Sequence, residues 1–295
     1  MSKQMILNIF DVEHGACAML TSYQAGISGR LAMIDSGDNG TTGWRPSSHI
    51  KYQLGRTQLD YLIVTNADQD HLSDLEGLWD ESIFVASLTR NRQVSPEALR
   101  TIKLENGNLT PDIERFLAIH ASYTLPTSIP FNDCMGGITM STFSNGYPEF
   151  ADTNNLSLVA FIKFGNFKIL FPGDMERAGW LKLLEQPAFR AELVGTNILV
   201  ASHHGRENGY CEEIFRHFTP DAVVISDKPI AHETQLTVPD YRRVIRPNGV
   251  IVSTTNARRH VLTTRRDGHI TFVVNELGGY DIYTEAGNGN LAQAA

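Results

Sequence analysis

The sequence is poor in cysteine and has no long apolar run. Its three cysteines, Cys17, Cys134 and Cys211, are far apart and odd in number, so they predict neither a disulfide framework nor a cysteine zinc site. No stretch approaches the ~18 apolar residues that cross a bilayer, and none follows Lys3 at the N-terminus. These absences predict a soluble protein of the reducing cytoplasm, with no membrane partner.

Positive charge is also scarce. The chain has 25 Lys and Arg against 33 Asp and Glu, a net charge of -8. Non-specific nucleic-acid binding needs Lys and Arg to neutralise phosphates, so this composition argues against a broad electrostatic footprint. Bound divalent cations or a local basic edge can still hold a phosphodiester. Four arginines near the C-terminus form either such an edge or simply a set of solvated charges: Arg258, Arg259, Arg265 and Arg266.

The length and patterning predict one domain. The 295 residues are 42% hydrophobic, enough for a large core, and neither an internal repeat nor a composition break divides them. Residues 80–135 contain two helical patterns, at Pro96 to Leu104 and Asp112 to His120, and we predict a helical insertion or lid there. From about residue 286 the sequence has no periodicity, which is typical of a loose tail.

Hydrophobic strands repeatedly end in polar loops. The clearest case is the run 61–64, which is followed by Asn66, Asp68, Asp70 and His71. Carboxylates held so close together repel each other unless a cation offsets them. A metal site is therefore the first hypothesis.

Later strand ends supply further candidates. In chain order these are Asp35 after residues 30–34, Asp174 after a hairpin through Gly165-Asn166, His203, His204 and Arg206 after residues 197–201, and His232 after residues 222–225.

The order of these features resembles that of the metallo-β-lactamase-fold hydrolases. Within that superfamily the chain is most similar to the hydrolase domain of ComEC-type DNA-uptake proteins. Residues 8–15 resemble that group's "LDVGQG", 34–37 its "IDTG", 154–159 its "NNxSLV" and 264–270 its "TDxxGAI". The likeness covers about residues 5–275 except 80–135. It implies an α/β fold, a four-layer αββα sandwich of two mixed β-sheets with metal ligands along one edge.

The resemblance also implies the metal ligands. Asp174 would bridge two ions, Asp70 would bind metal and orient the attacking water, and His71 would serve the same ion as Asp70. One of His203 and His204 would ligate, while the other contacts substrate or a carboxylate.

Three other candidates would act around the metal. Asp35 would orient a ligand, and His232 would stabilise charge or donate a proton to the leaving oxygen. Arg206, where ComEC-like relatives carry Ser, is either a phosphate contact or a solvated charge.

The chain departs from the family at the first metal position. The usual cluster is HxHxDH, but Asn66 and Asp68 stand where its first two histidines would be. Asp68 is an acceptable ligand because ComEC-like relatives carry Asp there, whereas the Asn66 amide is a weaker donor than imidazole. An oxygen-rich set suits Mn²⁺ or Mg²⁺ at least as well as Zn²⁺. We predict two divalent ions, with Mn²⁺ the first to test.

Three functions are compatible with these residues. The leading one is a metal-dependent phosphodiesterase, above all a nuclease, acting through a metal-activated water. The second is hydrolysis of a small ester, lactone, thioester or cyclic nucleotide by the same chemistry. The third is a degenerate-site binding or regulatory subunit that works with a protein partner, for example in a genome-defence operon. A homo-oligomer is compatible with each of them.

Overall fold

The computed structural model describes residues 3–105, 107–228 and 236–286. The strands are β1 (Lys3–Ile9), β2 (Ala18–Gln24), β3 (Ile27–Ile34), β4 (Gln58–Leu59), β5 (Tyr61–Ile63), β6 (Phe84–Val85), β7 (Leu88–Thr89), β8 (Thr139–Ser144), β9 (Leu158–Phe164), β10 (Phe167–Phe171), β11 (Ile198–Val200), β12 (Ala222–Ile225), β13 (Val250–Val252), β14 (Ala257–Arg259), β15 (Val261–Thr263), β16 (Ile270–Asn275) and β17 (Tyr280–Thr284).

The α-helices alternate with these strands and are short. They are α1 (Pro46–Ser48), α2 (Gln69–Leu72), α3 (Leu75–Asp80), α4 (Pro96–Glu105), α5 (Pro111–Ser122), α6 (Phe131–Cys134), α7 (Arg177–Leu184), α8 (Pro187–Leu193), α9 (Val238–Val244) and α10 (Thr264–Asp267). A π-helical turn covers His49–Gln53, and 3-10 turns cover Ser202–Gly205, Glu207–Gly209 and Glu212–Arg216. None of the helices in the described ranges is long and apolar enough to cross a membrane.

Two mixed sheets form the centre of the fold. The nine-stranded sheet has the order β14-β13-β17-β16-β1-β2-β3-β5-β7, and the six-stranded sheet has the order β15-β12-β11-β10-β9-β8. In the first, β1, β2 and β3 are antiparallel neighbours, whereas β3, β5 and β7 run parallel. In the second, β10, β11, β12 and β15 run parallel. The mixed sheets predicted from the resemblance are confirmed.

Three hydrophobic clusters define four layers. The first lies between the sheets and joins residues such as Leu7 of β1 to Ile169 of β10. The second joins the outer face of the nine-stranded sheet to α3, α4 and α5. The third joins the outer face of the six-stranded sheet to α7, α8 and α9. The chain is therefore an αββα sandwich. Strand β9, which lies between β10 and β8, is buried at almost every position because helices and sheet cover both of its faces.

The helical patterns of residues 80–135 correspond to α4 and α5. Pro111 lies in the first turn of α5, and the hydroxyl of Thr110 accepts a hydrogen bond from the backbone N of Ile113 at 3.2 Å, which caps the helix. Both helices pack on the outer face of the nine-stranded sheet. Their action as a lid stays a prediction, as does the single-domain organisation.

One helix differs from expectation. The sequence of residues 72–79, which follows the polar loop after residue 64, predicts one short helix, but α2 ends at Leu72 and α3 begins at Leu75. The buried carboxylate of Asp74 explains the break. It accepts a hydrogen bond from the backbone N of Ser47 at 2.7 Å and lies 2.8 Å from Nε of Arg45, which draws the chain out of helical geometry.

The direction of the strands places the polar loops at one end of each sheet. β3 and β5 are parallel, as are β10, β11 and β12, so the loops after these strands lie at the carboxyl ends of their sheets. Every predicted site residue in the described ranges follows one of these strands. His232 and the predicted tail beyond residue 286 lie outside the described residues.

Candidate metal centre

Four side chains from three strand-end loops form a group that could hold a metal ion. Asp70 and His71 follow β5, Asp174 follows β10, and His204 follows β11. One ligand atom from each lies within 4.8 Å of the others. His71, Asp174 and His204 are buried, whereas the Asp70 side chain is 31% exposed. The group therefore has one open side, formed by Asp70.

Two neighbouring loops hold the backbone of Asp70 and His71. The backbone N of Ala16 donates to the Asp70 carbonyl at 3.2 Å, and that of Ser36 donates to the His71 carbonyl at 2.7 Å. A Cβ on Gly37 would lie 2.6 Å from the Asp70 carbonyl oxygen, so the loop after β3 can approach this closely only with glycine there. The loops after β1 and β3 thus fix the backbone positions of Asp70 and His71.

Asp35 orients His71. Its Oδ2 lies 2.9 Å from Nδ1 of His71, and its Oδ1 accepts a hydrogen bond from the backbone N of Thr65 at 2.7 Å. The other ring nitrogen, Nε2, lies 3.0 Å from Oδ1 of Asp174. Burial lowers the pKa of His71, but the charges of Asp174 and Asp35 outweigh it and leave the pKa well above its usual value. The contact predicted for Asp35 is present.

The two adjacent histidines point in different directions. His203 and His204 both have left-handed backbone, with φ of 50° and 53°, and their ring centroids are 6.5 Å apart. Nε2 of His204 lies 3.2 Å from Oδ2 of Asp70 and 3.4 Å from Oδ1 of Asp174. His203 instead has its Nε2 3.3 Å from Nη1 of Arg206. The geometry therefore assigns His204 to the group and His203 to its border.

The protonation pattern of the group suits a cation. Nδ1 of His204 lies 3.0 Å from the Ser226 carbonyl, and Nδ1 of His71 faces Asp35, so each ring carries a hydrogen on Nδ1. Each Nε2 faces carboxylate oxygens, which raise the pKa of both imidazoles above the usual value despite their burial, so without a metal Nε2 also carries a proton. Nε2 of His204 is buried and makes no hydrogen bond of good geometry in the described part of the chain. A divalent ion would take the place of these protons between the imidazoles and the carboxylates.

The charge state of the two carboxylates also suits a bound cation. Burial raises the pKa of Asp174, but the charges of His71 and His204 outweigh it and hold the pKa well below the usual range. Burial likewise raises the pKa of Asp70, but the adjacent His204 ring and the charge of His71 lower it overall. Two anionic carboxylates and two imidazoles are a donor set for Zn²⁺ or Mn²⁺. A cavity of about 30 Å³ borders His71, Asp174 and His204.

Two predicted ligands lie outside this group. Asn66 is 2% exposed, and its Nδ2 donates to Oδ1 of Asn154 at 3.2 Å. Asp68 is paired with Lys103, whose Nζ lies 2.5 Å from Oδ1, and it also accepts a hydrogen bond from Thr153. The sequence did not single out Lys103 because it comes from α4, far along the chain.

His14 is a site residue that the sequence did not reveal. Its ring centroid lies 4.4 Å from that of His204, and its Nε2 is 2.8 Å from Nη2 of Arg206. Burial, followed by the charges of His204 and Arg206, lowers the pKa of His14 to about 4, so the ring is neutral and can accept this hydrogen bond. The sequence feature that could have identified His14 is its position in the loop after strand β1.

Comparison with known proteins gives distant likenesses. No model of a protein family matches the chain. ComE operon protein 3 of Bacillus subtilis (strain 168) is 26% identical over 175 residues, which are 58% of this chain and 20% of that protein. The chain thus spans about a fifth of the length of the relative it matches, and the match agrees with the predicted ComEC-type resemblance.

Three solved structures are similar to the chain at low identity. They are the metallo-beta-lactamase fold protein YhfI from Bacillus subtilis (10% identity, TM-score 0.49, 92% of this chain and 99% of that one), a diphosphatase from the PhnP family (12%, 0.43, 92% and 99%) and CmlA, a diiron beta-hydroxylase from Streptomyces venezuelae (15%, 0.42, 81% and 51%).

The assignment of the fold rests on the chain itself. Its two mixed sheets lie between two helical layers, and the loops after β5, β10 and β11 supply the four-residue group in the order that the resemblance implies. The chain therefore has the four-layer αββα architecture of the metallo-β-lactamase fold.

Proposed function

We propose that this chain is a metal-dependent phosphodiesterase. The observation that carries the proposal is the position of Arg206 beside the four-residue group. Its guanidinium contacts only imidazoles, at 2.8 Å from His14 and 3.3 Å from His203, and it has no ion pair among the described residues. An uncompensated guanidinium next to a metal-capable group favours a substrate with an anionic oxygen.

Each residue would have a defined task. Asp70, His71, Asp174 and His204 would hold a divalent ion, which when bound would polarise the scissile group and generate hydroxide near neutral pH. Asp70 is the most exposed of the four and is anionic at neutral pH, so it can accept a hydrogen bond from the attacking water. Arg206 would bind an oxygen of the phosphoryl group. The proton-donor role of His232 stays a prediction.

The arginines near the C-terminus bear on the size of the substrate. Arg259 makes two bonds to Asp267, at 2.7 and 3.0 Å, and Arg265 is paired with Asp227. Two of the four predicted edge cations are thus neutralised within the fold. With a net charge of -8, this favours a short strand end or a small phosphodiester such as a cyclic nucleotide over tight binding of a long duplex.

The test is hydrolysis by chelator-treated protein to which Mn²⁺, Zn²⁺ or Mg²⁺ is returned. Substrates are labelled single-stranded DNA and RNA, cyclic nucleotides, bis-p-nitrophenyl phosphate and the uncharged ester p-nitrophenyl butyrate. We expect metal-dependent cleavage of phosphodiesters that Asp174→Asn abolishes and Asp133→Asn, at an exposed position, leaves intact. Cleavage of the ester alone would shift the function to small-ester hydrolysis. No cleavage with any of the three ions would overturn the proposal.

Arg206→Lys tests the substrate contact. Lysine keeps the charge but cannot bridge two imidazoles and a phosphate in one plane, so we expect KM for phosphodiesters to rise about tenfold. Arg242→Lys, on the exposed side of α9, is the control. An unchanged KM would remove Arg206 from the substrate site.

A degenerate-site binding subunit is the second candidate, favoured by the displacement of Asn66 and Asp68 from the group. It predicts less than about one equivalent of any divalent ion, with no rescue by added Mn²⁺. Size-exclusion chromatography with light scattering would then test for the protein partner or homo-oligomer. The cytoplasmic location also stays a prediction.

A further inference from the structure

At the first metal position that the resemblance implies, Asn66 and Asp68 contact other side chains of the protein. The sequence predicts Asn66 and Asp68 at one metal position, Asp70 and His71 at a second, Asp174 between the two ions, and one of His203 and His204 as a further ligand. Among the described His, Cys, Asp and Glu residues, the group that could hold an ion consists of Asp70, His71, Asp174 and His204 and does not include Asp68. The question is what Asn66 and Asp68 do instead.

The carboxylate of Asp68 already has a cation and a hydroxyl. Nζ of Lys103 lies 2.5 Å from Oδ1, and Oγ1 of Thr153 lies 2.9 Å from Oδ1 and 3.0 Å from Oδ2. The Lys103 side chain is only 11% exposed, so its ammonium is largely withdrawn from water and depends on this pairing. A metal ion at Asp68 would have to displace the ammonium.

The amide of Asn66 presents its donor end to its neighbours. Nδ2 lies 3.2 Å from Oδ1 of Asn154 and 3.4 Å from Oδ2 of Asp68. Two oxygens facing one amide require its NH₂ group there, because the carbonyl oxygen would repel both. An NH₂ group cannot ligate a cation, so Asn66 does not face Asp68 as a second metal ligand.

We infer that this chain holds one divalent ion, in the group of Asp70, His71, Asp174 and His204, and that the Lys103 ammonium takes the place of a second ion beside Asp68. The inference rests on the proposed function in one respect, namely that the four-residue group binds metal. It replaces the two-ion prediction and gives α4 a part in the site, since α4 carries Lys103.

The test is metal stoichiometry, which does not depend on activity. Chelator-treated protein is titrated calorimetrically with Mn²⁺ and separately with Zn²⁺, and bound metal is measured by mass spectrometry after desalting. We expect about one equivalent of either ion. About two equivalents, falling to one in Asp68→Asn, would overturn this inference and leave the proposed function standing. No bound metal would overturn both.

A second variant tests the role of Lys103 directly. Asn66→His/Lys103→Met returns an imidazole and removes the ammonium, so we expect a second, weaker equivalent to appear. Asn66→His/Lys163→Met, which removes an exposed lysine of β9, should stay at one. Circular dichroism checks that both variants fold. If the first double variant also stays at one equivalent, Lys103 does not exclude the second ion and that part of the inference is wrong.

Discussion

The carboxylate of Asp35 and the imidazole of His71 meet at 2.9 Å, between Oδ2 and Nδ1. Asp35 is itself fixed, because the backbone N and the hydroxyl of Thr65 both donate to it. The ring of His71 is thereby oriented with its Nε2 toward Asp174, before any ion is bound. A ligand held in this way loses little conformational entropy on binding metal.

Asp35→Asn should weaken metal binding without unfolding the protein. The amide can retain a hydrogen bond from Thr65 but is a poorer acceptor for Nδ1 of His71, and such changes typically cost about 10- to 100-fold in metal affinity. Asparagine tolerates the left-handed backbone of this position, where φ is 59°. Calorimetric titration with Zn²⁺ measures the effect. Asp38→Asn, in the same loop but bonded to Ser73, should change affinity less than about twofold.

The strand-end loops were predictable because they are local in sequence. An apolar run ending in Asp35 or in Asp70-His71 is read from adjacent residues, and parallel strands bring such ends to one edge. The same reasoning predicted that His203 and His204 would diverge. It could not say which one joins the group, since that depends on two consecutive left-handed residues after β11.

The remaining site residues depend on contacts across the fold. Lys103 reaches Asp68 from a helix 35 positions away, and Arg206 reaches His14 across 192 positions. Neither pairing has a local pattern, because long side chains meet wherever the layers place their backbones. For the same reason the sequence does not single out His14.

The metal-free protein should lose stability as the pH rises above neutrality. Burial lowers the pKa of His71, but Asp174 and Asp35 raise it well above the usual 6.5, so the imidazolium stabilises the fold fully below pH 6.5 and this contribution is lost as the pH rises through the raised pKa. The Asp174 carboxylate, whose pKa is lowered from 3.8, stabilises the fold above pH 3.8, and this stabilisation is lost only in stronger acid. Both contributions are complete between about pH 4 and 6.5.

Urea denaturation in chelator at pH 6 and pH 9 measures this change. The stability difference between the wild type and His71→Gln should shrink with rising pH, by at most about 1.4 kcal/mol per pH unit for one proton. Asn248→Gln, at an exposed position, removes no titratable group and should show the same difference at both pH values. A His71→Gln difference independent of pH would mean that the ring is uncharged in the metal-free fold.

Asn155 should matter for stability and not for metal binding. Its Oδ1 accepts a hydrogen bond from the backbone N of Gly179 at 2.8 Å, and its Nδ2 donates to Asp152 at 3.1 Å. Asn155→Ala leaves the buried Gly179 N–H unpaired, which we expect to cost about 1–3 kcal/mol of unfolding free energy. Thermal and urea denaturation measure the cost, with the exposed Asn248→Ala as control. A loss below about 0.5 kcal/mol would show that this N–H finds another partner.

The two adjacent histidines should differ sharply in metal binding. His204 has Nε2 within 3.4 Å of both Asp70 and Asp174, whereas the nearest group carboxylate to His203 is Asp174, at 4.0 Å. Asparagine is the matched replacement for both, because it tolerates their left-handed backbone and its amide is shorter than imidazole. We expect His204→Asn to weaken Zn²⁺ binding by at least about 100-fold and His203→Asn by less than about fivefold. The reverse order in calorimetric titration would place His203 in the metal site, and equal losses would mean that both rings ligate.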